Sequence, residues 1–144
     1  MILLDANLLL YAFRREFSEH EAAKRWMDKA SAAGEVFVVH PLVGAAFLRL
    51  STRKLGPMPP APMAAALDFL SVLLVAGMRL PEAENHGQVL SRLCARHGIQ
   101  GDGVVDAWLA AFAITHGLTL ASHDQGFSRL APELDWVDPV ANGA

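Results

Sequence analysis

The chain has 144 residues, of which 53% are hydrophobic and 19% charged, a composition that is typical of a compact domain and excludes a disordered chain. Fifteen acidic residues outnumber 12 basic ones, giving a formal net charge of −3, so the chain lacks the basic surplus of most nucleic-acid-binding proteins. Either nucleic acid is not the partner, or some acids line a metal pocket whose cation offsets their charge.

The first half of the chain predicts two strands and three helices. Apolar residues at 2–4 and 36–39 predict buried strands, because β-branched and aromatic residues favour strands. The predicted helices cover residues 7–14, 18–33 and 41–53. Ser18 is expected to cap the second of these helices at its start and Gly34 at its end. The proline-rich segment 56–62 cannot hold regular structure and predicts a surface loop.

The second half of the chain predicts three more helices and further strands. The helices cover residues 63–76, 82–97 and 104–116. Gly98 and Gly117 directly follow the last two, as glycine commonly does at a helix end. The predicted strands cover residues 78–80, 118–121 and 134–137. A short helix is expected to begin at Ser122.

The alternation of strands and helices predicts an α/β protein, a three-layer α/β/α sandwich with a central, mostly parallel sheet. We expect a single domain spanning residues 1–144, because the loop at 56–62 leaves too little chain on either side for two cores. In such sheets the ligand crevice lies beyond the carboxyl ends of the strands. Residues that directly follow strands are therefore the first candidates for function.

The single cysteine and the first residues indicate where the protein acts. Cys94 cannot form an internal disulfide, which favours the reduced cytoplasm. Met1 leads directly into apolar residues without a basic region, so we expect no secretory signal. The apolar segment 67–78 contains Asp68 and is too short to span a bilayer, so we expect no membrane contact.

Three acidic residues stand out because ordinary solvation explains them poorly. Asp5 and Asp124 follow predicted strands at the ligand-binding edge, although each could simply cap the next helix. Asp106 lies in an apolar helix, where a buried carboxylate is costly unless it is paired or bound to a metal. No basic residue lies within one helical turn of Asp106, so an ion-pair partner would have to come from elsewhere in the fold.

We predict that Asp5, Asp106 and Asp124 converge on one crevice and hold a divalent cation. Carboxylates placed together cannot all stay ionised in a low dielectric, and a cation resolves the conflict. Mg²⁺ and Mn²⁺ both prefer such oxygen ligands. Asp102, one turn before Asp106, is a weaker candidate ligand, because the neighbouring glycines favour a helix cap. Asn7 could hydrogen-bond the Asp5 carboxylate or a bound water, or simply begin a helix.

Short segments in this order resemble the motifs of the PIN domain family, and specifically VapC-like toxins of type II toxin–antitoxin systems. Residues 3–12 with Asp5 resemble the first motif, and residues 47–52 resemble the end of the second. Residues 105–111 with Asp106 resemble the third motif, and residues 120–127 with Asp124 the fourth. Residues 20–23 resemble the family's second-helix segment. Each motif is short, but their order and spacing over nearly the whole chain make the resemblance specific.

The resemblance implies a metal-dependent endoribonuclease that cleaves RNA phosphodiester bonds and is the toxin of a toxin–antitoxin pair. Asp5, Asp106 and Asp124 would then be catalytic and would bind Mg²⁺ or Mn²⁺. The resemblance also implies a cognate antitoxin that covers the pocket, and we expect a homodimer. Apolar surface around Trp26 and Phe47 could serve either partner, and core packing explains these two residues equally well.

The chain departs from the family pattern at three positions. Many PIN nucleases carry a Glu where this chain has Ala46, which leaves one metal ligand fewer. Gly126 replaces an acid often found near the fourth motif, and His123 replaces a common Thr or other polar residue. We expect His123 to support the site together with Asn7. The alternative is a degenerate PIN domain that binds RNA or a protein partner without cleaving.

Basic residues near the motifs are the candidate RNA contacts. Arg14 lies one helix beyond Asp5, and Arg49 and Arg53 lie in or just after the segment 47–52. Each could bind a phosphate, while solvated charge or ion pairing is the alternative for any surface arginine. Because Arg49 lies three residues after Ala46, we expect it to support the site as well as to contact RNA.

Overall fold

The structure of this protein, a computed structural model, describes residues 1–130 and 132–141. Its strands are β1 (Ile2–Leu4), β2 (Phe37–Val38), β3 (Thr119–Ala121) and β4 (Trp136–Val137). All pairings are parallel, and the strands form one sheet in the order β2-β1-β3-β4, flanked by helices. The predicted α/β architecture is therefore confirmed. Residues 131 and 142–144, which the single-domain prediction includes, lie outside the described residues.

The helices account for most of the chain and form two groups of neighbours. They are α1 (Ala6–Phe13), α2 (His20–Ala32), α3 (Pro41–Ser51), α4 (Met63–Ala76), α5 (His86–His97) and α6 (Val104–His116). Helix α1 contacts α2 and α3, and α3 contacts α4, whereas α5 packs against α6. Short 3-10 helices, Gly101–Gly103 and Gln125–Leu130, precede α6 and follow β3.

Glycine and proline set several helix boundaries where the sequence predicts them. Gly98 and Gly117 directly follow α5 and α6 with left-handed φ angles of 61° and 65°, which glycine adopts without steric cost. Pro41 begins α3, and the ring of His40 caps it by accepting a hydrogen bond from the backbone N–H of Leu42 at 3.1 Å. The segment predicted as a helix over 63–76 matches α4 residue for residue.

Two predicted helix starts are wrong because side chains there have other partners. Ser18 does not cap α2, since its hydroxyl donates to the Glu19 carboxylate at 3.1 Å. The helix predicted from Glu82 begins at His86 instead. The Glu82 carboxylate lies 2.5 Å from Nε2 of His40, so this segment is tied to the start of α3 before α5 begins.

The segment predicted as a brief strand at 78–80 forms no strand. The backbone N–H of Met78 does donate to the carbonyl of Phe37 at 3.0 Å, but the pairing does not continue. Phe37 lies opposite Ile2 in the sheet, so the chain after α4 passes the amino end of the strands.

Buried side chains of the sheet and helices form one connected hydrophobic cluster. Phe47 is fully buried within it, and the half-buried Trp26 stacks on Phe37 with ring centroids 6.4 Å apart. Core packing thus accounts for Trp26 and Phe47.

Helix α4 is apolar apart from Asp68 and Ser71, yet of its residues only Ala66 and Leu70 are buried. Its exposed apolar side chains include Val72 and Val75, the latter 88% exposed. None of the helices within residues 1–130 and 132–141 combines the length and hydropathy that a bilayer crossing requires. Contiguous exposed apolar surface of this kind is uncommon on soluble monomeric proteins.

A methyl group at Gly77 is expected to destabilise the fold, because no space exists for it. A Cβ there would lie 2.4 Å from the Phe37 carbonyl oxygen and 2.8 Å from that of Leu73. Gly77→Ala should lower the free energy of unfolding by about 1–3 kcal/mol in urea titrations. Gly87→Ala is the matched control, since its Cβ would meet nothing within 4 Å and a helical alanine stabilises by about 0.5–1 kcal/mol. Equal effects of the two substitutions would contradict this account.

Candidate active site at the carboxyl edge of the sheet

The parallel register of the two central strands places Asp5 beside Ser122. Leu4 of β1 lies opposite Ala121 of β3, so the residues that follow these two are neighbours at the carboxyl edge. The Ser122 hydroxyl donates to Oδ2 of Asp5 at 2.6 Å, and the Asp5 backbone N–H donates to the Ala121 carbonyl at 3.0 Å. The structure therefore holds Asp5 where the sequence predicts it.

Asp5 also caps α1, so its two predicted roles coexist. Its Oδ1 accepts a hydrogen bond from the backbone N–H of Ala6 at 2.7 Å. Burial raises the pKa of Asp5, the hydrogen bonds from Ser122 and Ala6 lower it, and the charge of Asp124 raises it further, leaving the pKa above its ordinary value. The Asp5 side chain is fixed in orientation and costly to keep ionised.

Asp106 lies in the first turn of α6 and is half-buried, not buried as the apolar helix predicted. Val104 and Val105 beside it are exposed, because α6 reaches the surface where it begins. Within residues 1–130 and 132–141, the Asp106 carboxylate accepts no hydrogen bond. Burial above all, then the negative charges of Asp5 and Asp124, raise the pKa of Asp106 to about 6, against the lowering effect of Arg129.

Asp124 lies on an exposed loop directly after β3. Its Oδ1 accepts a hydrogen bond from the backbone N–H of Gly126 at 2.8 Å, and its own N–H donates to the Ser122 hydroxyl at 3.0 Å. One hydroxyl thus joins Asp5 and Asp124. The alternative role of Asp124 as a helix cap does not exclude it from the site, because its charge acts on both Asp5 and Asp106.

The three carboxylates converge electrostatically without forming a ready-made ligand cluster. In the described part of the chain, no group of three or more His, Cys, Asp or Glu side chains is close enough to hold a metal ion together. The donor set nevertheless fits a hard divalent cation, because it consists of carboxylate oxygens. The unpaired Asp106 is the member most in need of a positive partner.

Among the described residues, no contact connects Asp102, the weaker candidate ligand, with these three acids. Asp102 is exposed on the 3-10 helix before α6, and it is absent from the charges that act on Asp106. It does not cap α6 either, because Gly103 holds the capping position and no side chain bonds there. The tight turn directs Asp102 to solvent.

Asn7 supports the neighbouring loop and not the Asp5 carboxylate. Its side-chain amide donates to the Ser122 hydroxyl at 3.3 Å, and its Oδ1 accepts from the backbone N–H of His123 at 3.4 Å. These two contacts connect α1 to the loop that carries Asp124. Asn7 lies in the site as predicted, but it acts on the loop after β3.

His123 is held by an acid that sequence reasoning assigned to ordinary solvation. Nδ1 of His123 lies 2.9 Å from Oδ1 of Asp138, which is only 5% exposed. Asp138 also accepts hydrogen bonds from the Gln125 side chain and from the backbone N–H groups of Val140 and Ala141. Burial acts to raise the pKa of Asp138, but the hydrogen bonds from His123 and these backbone groups hold it below its ordinary value. Asp138 thereby fixes the loop on both sides of Asp124.

The predicted RNA-contacting arginines have different surroundings. Arg14 is buried, and its guanidinium donates to the carbonyls of Ser51 and Pro59 at 3.1 and 2.9 Å and pairs with Glu16 at 3.2 Å. It ties the proline-rich loop to the body of the protein, so its prediction as an RNA contact is overturned.

Arg49 and Arg53 are exposed, in the last turn of α3 and just after it. Neither is among the charges that act on Asp5 or Asp106. The structure thus leaves both available on the surface without bringing them to the three acids.

Three residues of the site escaped sequence reasoning. Ser122 and Asp138 could have been suspected only from the loop around Asp124, because nothing local marks either as buried. Arg129 carries the one positive charge that acts on Asp106, and it lies five residues after Asp124. Its position two residues after the segment 120–127 was the available signal.

Comparison with known proteins gives consistent similarities over most of the chain. The family model described as PIN domain matches residues 2–132. Ribonuclease VapC31 of Mycobacterium tuberculosis is 38% identical over 133 residues, covering 91% of this chain and 94% of that protein.

Two solved structures show the same fold at low sequence identity. VapBC2 from Rickettsia felis, bound to a DNA fragment from its promoter, superimposes with a TM-score of 0.68 at 16% identity, covering 95% of this chain and 98% of that one. VapC20 from Mycobacterium tuberculosis, described as a sarcin–ricin loop cleaving toxin, gives a TM-score of 0.67 at 19% identity, covering 91% and 95%.

The raised pKa of Asp106 predicts a pH-dependent stability. The folded protein keeps this proton to about pH 6, whereas an unfolded aspartate loses it near pH ~4, so the free energy of unfolding falls as pH rises through this window. Asp106→Asn should therefore be more stable than the parent at pH 8 in urea titrations without divalent ions, with the difference shrinking toward pH 4. Asp68→Asn, on the exposed face of α4, is the control. A pH-independent difference for Asp106→Asn would show that this carboxylate is not strained.

Proposed function

This chain belongs to the PIN domain family, and from that membership we propose that it is an endoribonuclease acting as the toxin of a VapBC-type toxin–antitoxin pair. The observation that carries the proposal is the convergence of Asp5, Asp106 and Asp124 at the carboxyl edge of the sheet. The names of two similar proteins, a ribonuclease and a sarcin–ricin loop cleaving toxin, support RNA as the substrate class.

The cofactor in this proposal is Mg²⁺ or Mn²⁺, held by Asp106 together with Asp5 and Asp124. Mg²⁺ keeps several of its waters and uses only one or two carboxylates in many sites, so a preformed group of three ligands is not required. When bound, such a cation lowers the pKa of a water and stabilises negative charge on the phosphate. The absence of an acid at Ala46 favours one cation over two.

The remaining residues of the site keep these carboxylates in position. Ser122 holds Asp5 by one hydrogen bond and the backbone of Asp124 by another. Asn7 anchors Ser122 from α1, and Asp138 holds His123 from the end of β4. Positioning of this kind is what phosphoryl-transfer sites need most, because the chemistry requires no covalent nucleophile.

The alternative is a degenerate domain that binds RNA or a protein without cleaving. The unpaired Asp106 argues against it, because a buried or half-buried carboxylate without a partner lowers stability and needs a functional reason. For the proposed nuclease, Arg49 and Arg53 are the candidate surface contacts to RNA. We further propose that the protein acts in the cytoplasm as a single domain of residues 1–144.

Metal-dependent RNA cleavage tests the enzyme. Purified protein should cleave single-stranded RNA in Mn²⁺ or Mg²⁺ and not in EDTA, and Asp106→Asn should lower the rate by about 100-fold or more, because a charge-stabilising ligand is lost. Mn²⁺ should raise the Tm of the parent and much less that of the variant.

Asp68→Asn is the matched control for both readouts, since Asp68 is an exposed acid on α4. If neither the parent nor Asp106→Asn cleaves RNA, the non-cleaving alternative is the better account, and equal cleavage by both would contradict the catalytic role of Asp106.

Two exposed apolar surfaces are candidates for the protein partners. The first is the outer face of α4 with Val72 and Val75, beside a cavity of about 650 Å³ between α3 and α4. The second is formed by Leu42, Val104 and Val105 where α3 and α6 begin. We propose that the longer α4 surface binds the cognate antitoxin and that the smaller one joins two copies in a homodimer.

A charge on each surface should separate the two interactions. Val75→Asp is expected to weaken the complex with the co-expressed antitoxin, because a desolvated carboxylate at an apolar interface is costly, while the chain alone stays dimeric. Leu42→Asp should shift the chain alone toward monomer in sedimentation velocity. The assignment is wrong if the two substitutions exchange these effects or if the parent sediments as a monomer.

A further inference from the structure

Arg129 lies at the acid site and has no role in the function proposed so far. It belongs to the 3-10 helix Gln125–Leu130, directly after the loop that carries Asp124. Its Nη2 lies 3.8 Å from the point where a Cβ on Gly103 would sit, so the guanidinium rests against the start of α6. Asp106 follows Gly103 by three residues, which places a cation within one helical turn of the unpaired carboxylate.

The guanidinium of Arg129 keeps all its hydrogen-bond donors available. Among residues 1–130 and 132–141 it has no hydrogen bond and no ion pair, whereas Arg14, Arg92 and Arg96 each pair with a glutamate. Its positive charge does reach Asp106, whose pKa it lowers. An exposed arginine that is near an acid but not bonded to it can take a second anion.

RNA approaching this edge of the sheet meets three carboxylates on a chain of net charge −3. A phosphodiester would be repelled there unless a fixed cation offset the acids. The guanidinium of Arg14 is bonded to the carbonyls of Ser51 and Pro59, and neither Arg49 nor Arg53 is among the charges that act on Asp5 or Asp106. Among the described residues, Arg129 is the cation whose charge acts on Asp106 and can offset the acids.

We propose that Arg129 binds a phosphate of the RNA backbone beside the three acids and thereby positions the strand for cleavage. The proposal rests on the endoribonuclease function proposed above. The planar guanidinium can donate two parallel hydrogen bonds to phosphate oxygens, which an ammonium group cannot do.

Binding of a fluorescent single-stranded RNA oligonucleotide in EDTA, followed by anisotropy at several salt concentrations, tests the proposal without cleavage. Arg129→Gln should weaken binding by about tenfold, the size expected for a charge-assisted hydrogen bond to phosphate. The slope of log K against log salt should fall by about 0.7, the contribution of one phosphate contact in a single strand. Arg129→Lys should keep the slope and recover only part of the affinity, because it preserves the charge and loses the fork.

Arg79→Gln is the matched control. Arg79 is also exposed and follows Met78, which bonds to Phe37 at the amino end of the sheet, away from the acids. It should leave the affinity and the slope unchanged. Urea titrations of each variant confirm that folding is retained.

Three outcomes overturn the proposal, and they differ in what else they remove. If the parent binds and cleaves RNA but Arg129→Gln leaves the salt slope unchanged, the phosphate contact is refuted and the nuclease function stays intact. Equal losses in Arg129→Gln and Arg79→Gln reduce the effect to general surface charge. A parent that neither binds nor cleaves RNA removes the proposed function, and the role of Arg129 with it.

Discussion

The hydrogen bond from Ser122 to Asp5 joins the ends of the two central strands, and the rest of the site depends on it. It exists because β1 and β3 are parallel and in register, so Leu4 and Ala121 lie opposite each other. The same hydroxyl accepts the backbone N–H of Asp124. A single buried side chain therefore connects Asp5 to Asp124, and a slip of the register by one residue would separate them.

Convergence of the acids has an electrostatic cost that the protein only partly offsets. Hydrogen bonds stabilise the charge on Asp5. The Asp106 carboxylate has no hydrogen bond among the described residues, and the charges of Asp5 and Asp124 raise its pKa. Arg129 reduces this cost from nearby without forming an ion pair. A site in this condition is matched to a divalent cation and a phosphate together, because each supplies what the other lacks: the cation offsets the acids, and the phosphate takes the free guanidinium.

The loop around Asp124 is held from the end of the sheet as well as by its own hydrogen bonds. Asp138 follows β4 and holds the side chains of His123 and Gln125, one on each side of Asp124. Since β4 is an edge strand paired only with β3, the loop and the edge strand stabilise each other. This explains why an acid as buried as Asp138 keeps a low pKa, and it makes the end of the described chain part of the site.

Local patterns in the sequence determined the strands, most helix ends and the three acids at the carboxyl edge. Glycine, proline and apolar runs act on neighbouring residues, and the parallel-sheet rule turns strand ends into a site. Tertiary structure alone decided which polar groups bond to which, because the partners lie far apart in the chain: Ser122 and Asp5 are separated by 117 positions, and Arg14 and Pro59 by 45. Hydrogen bonding and burial depend on such distant partners. The sequence therefore could not show that the Arg14 guanidinium is buried and hydrogen-bonded, or that the Arg129 guanidinium has no hydrogen bond among the described residues.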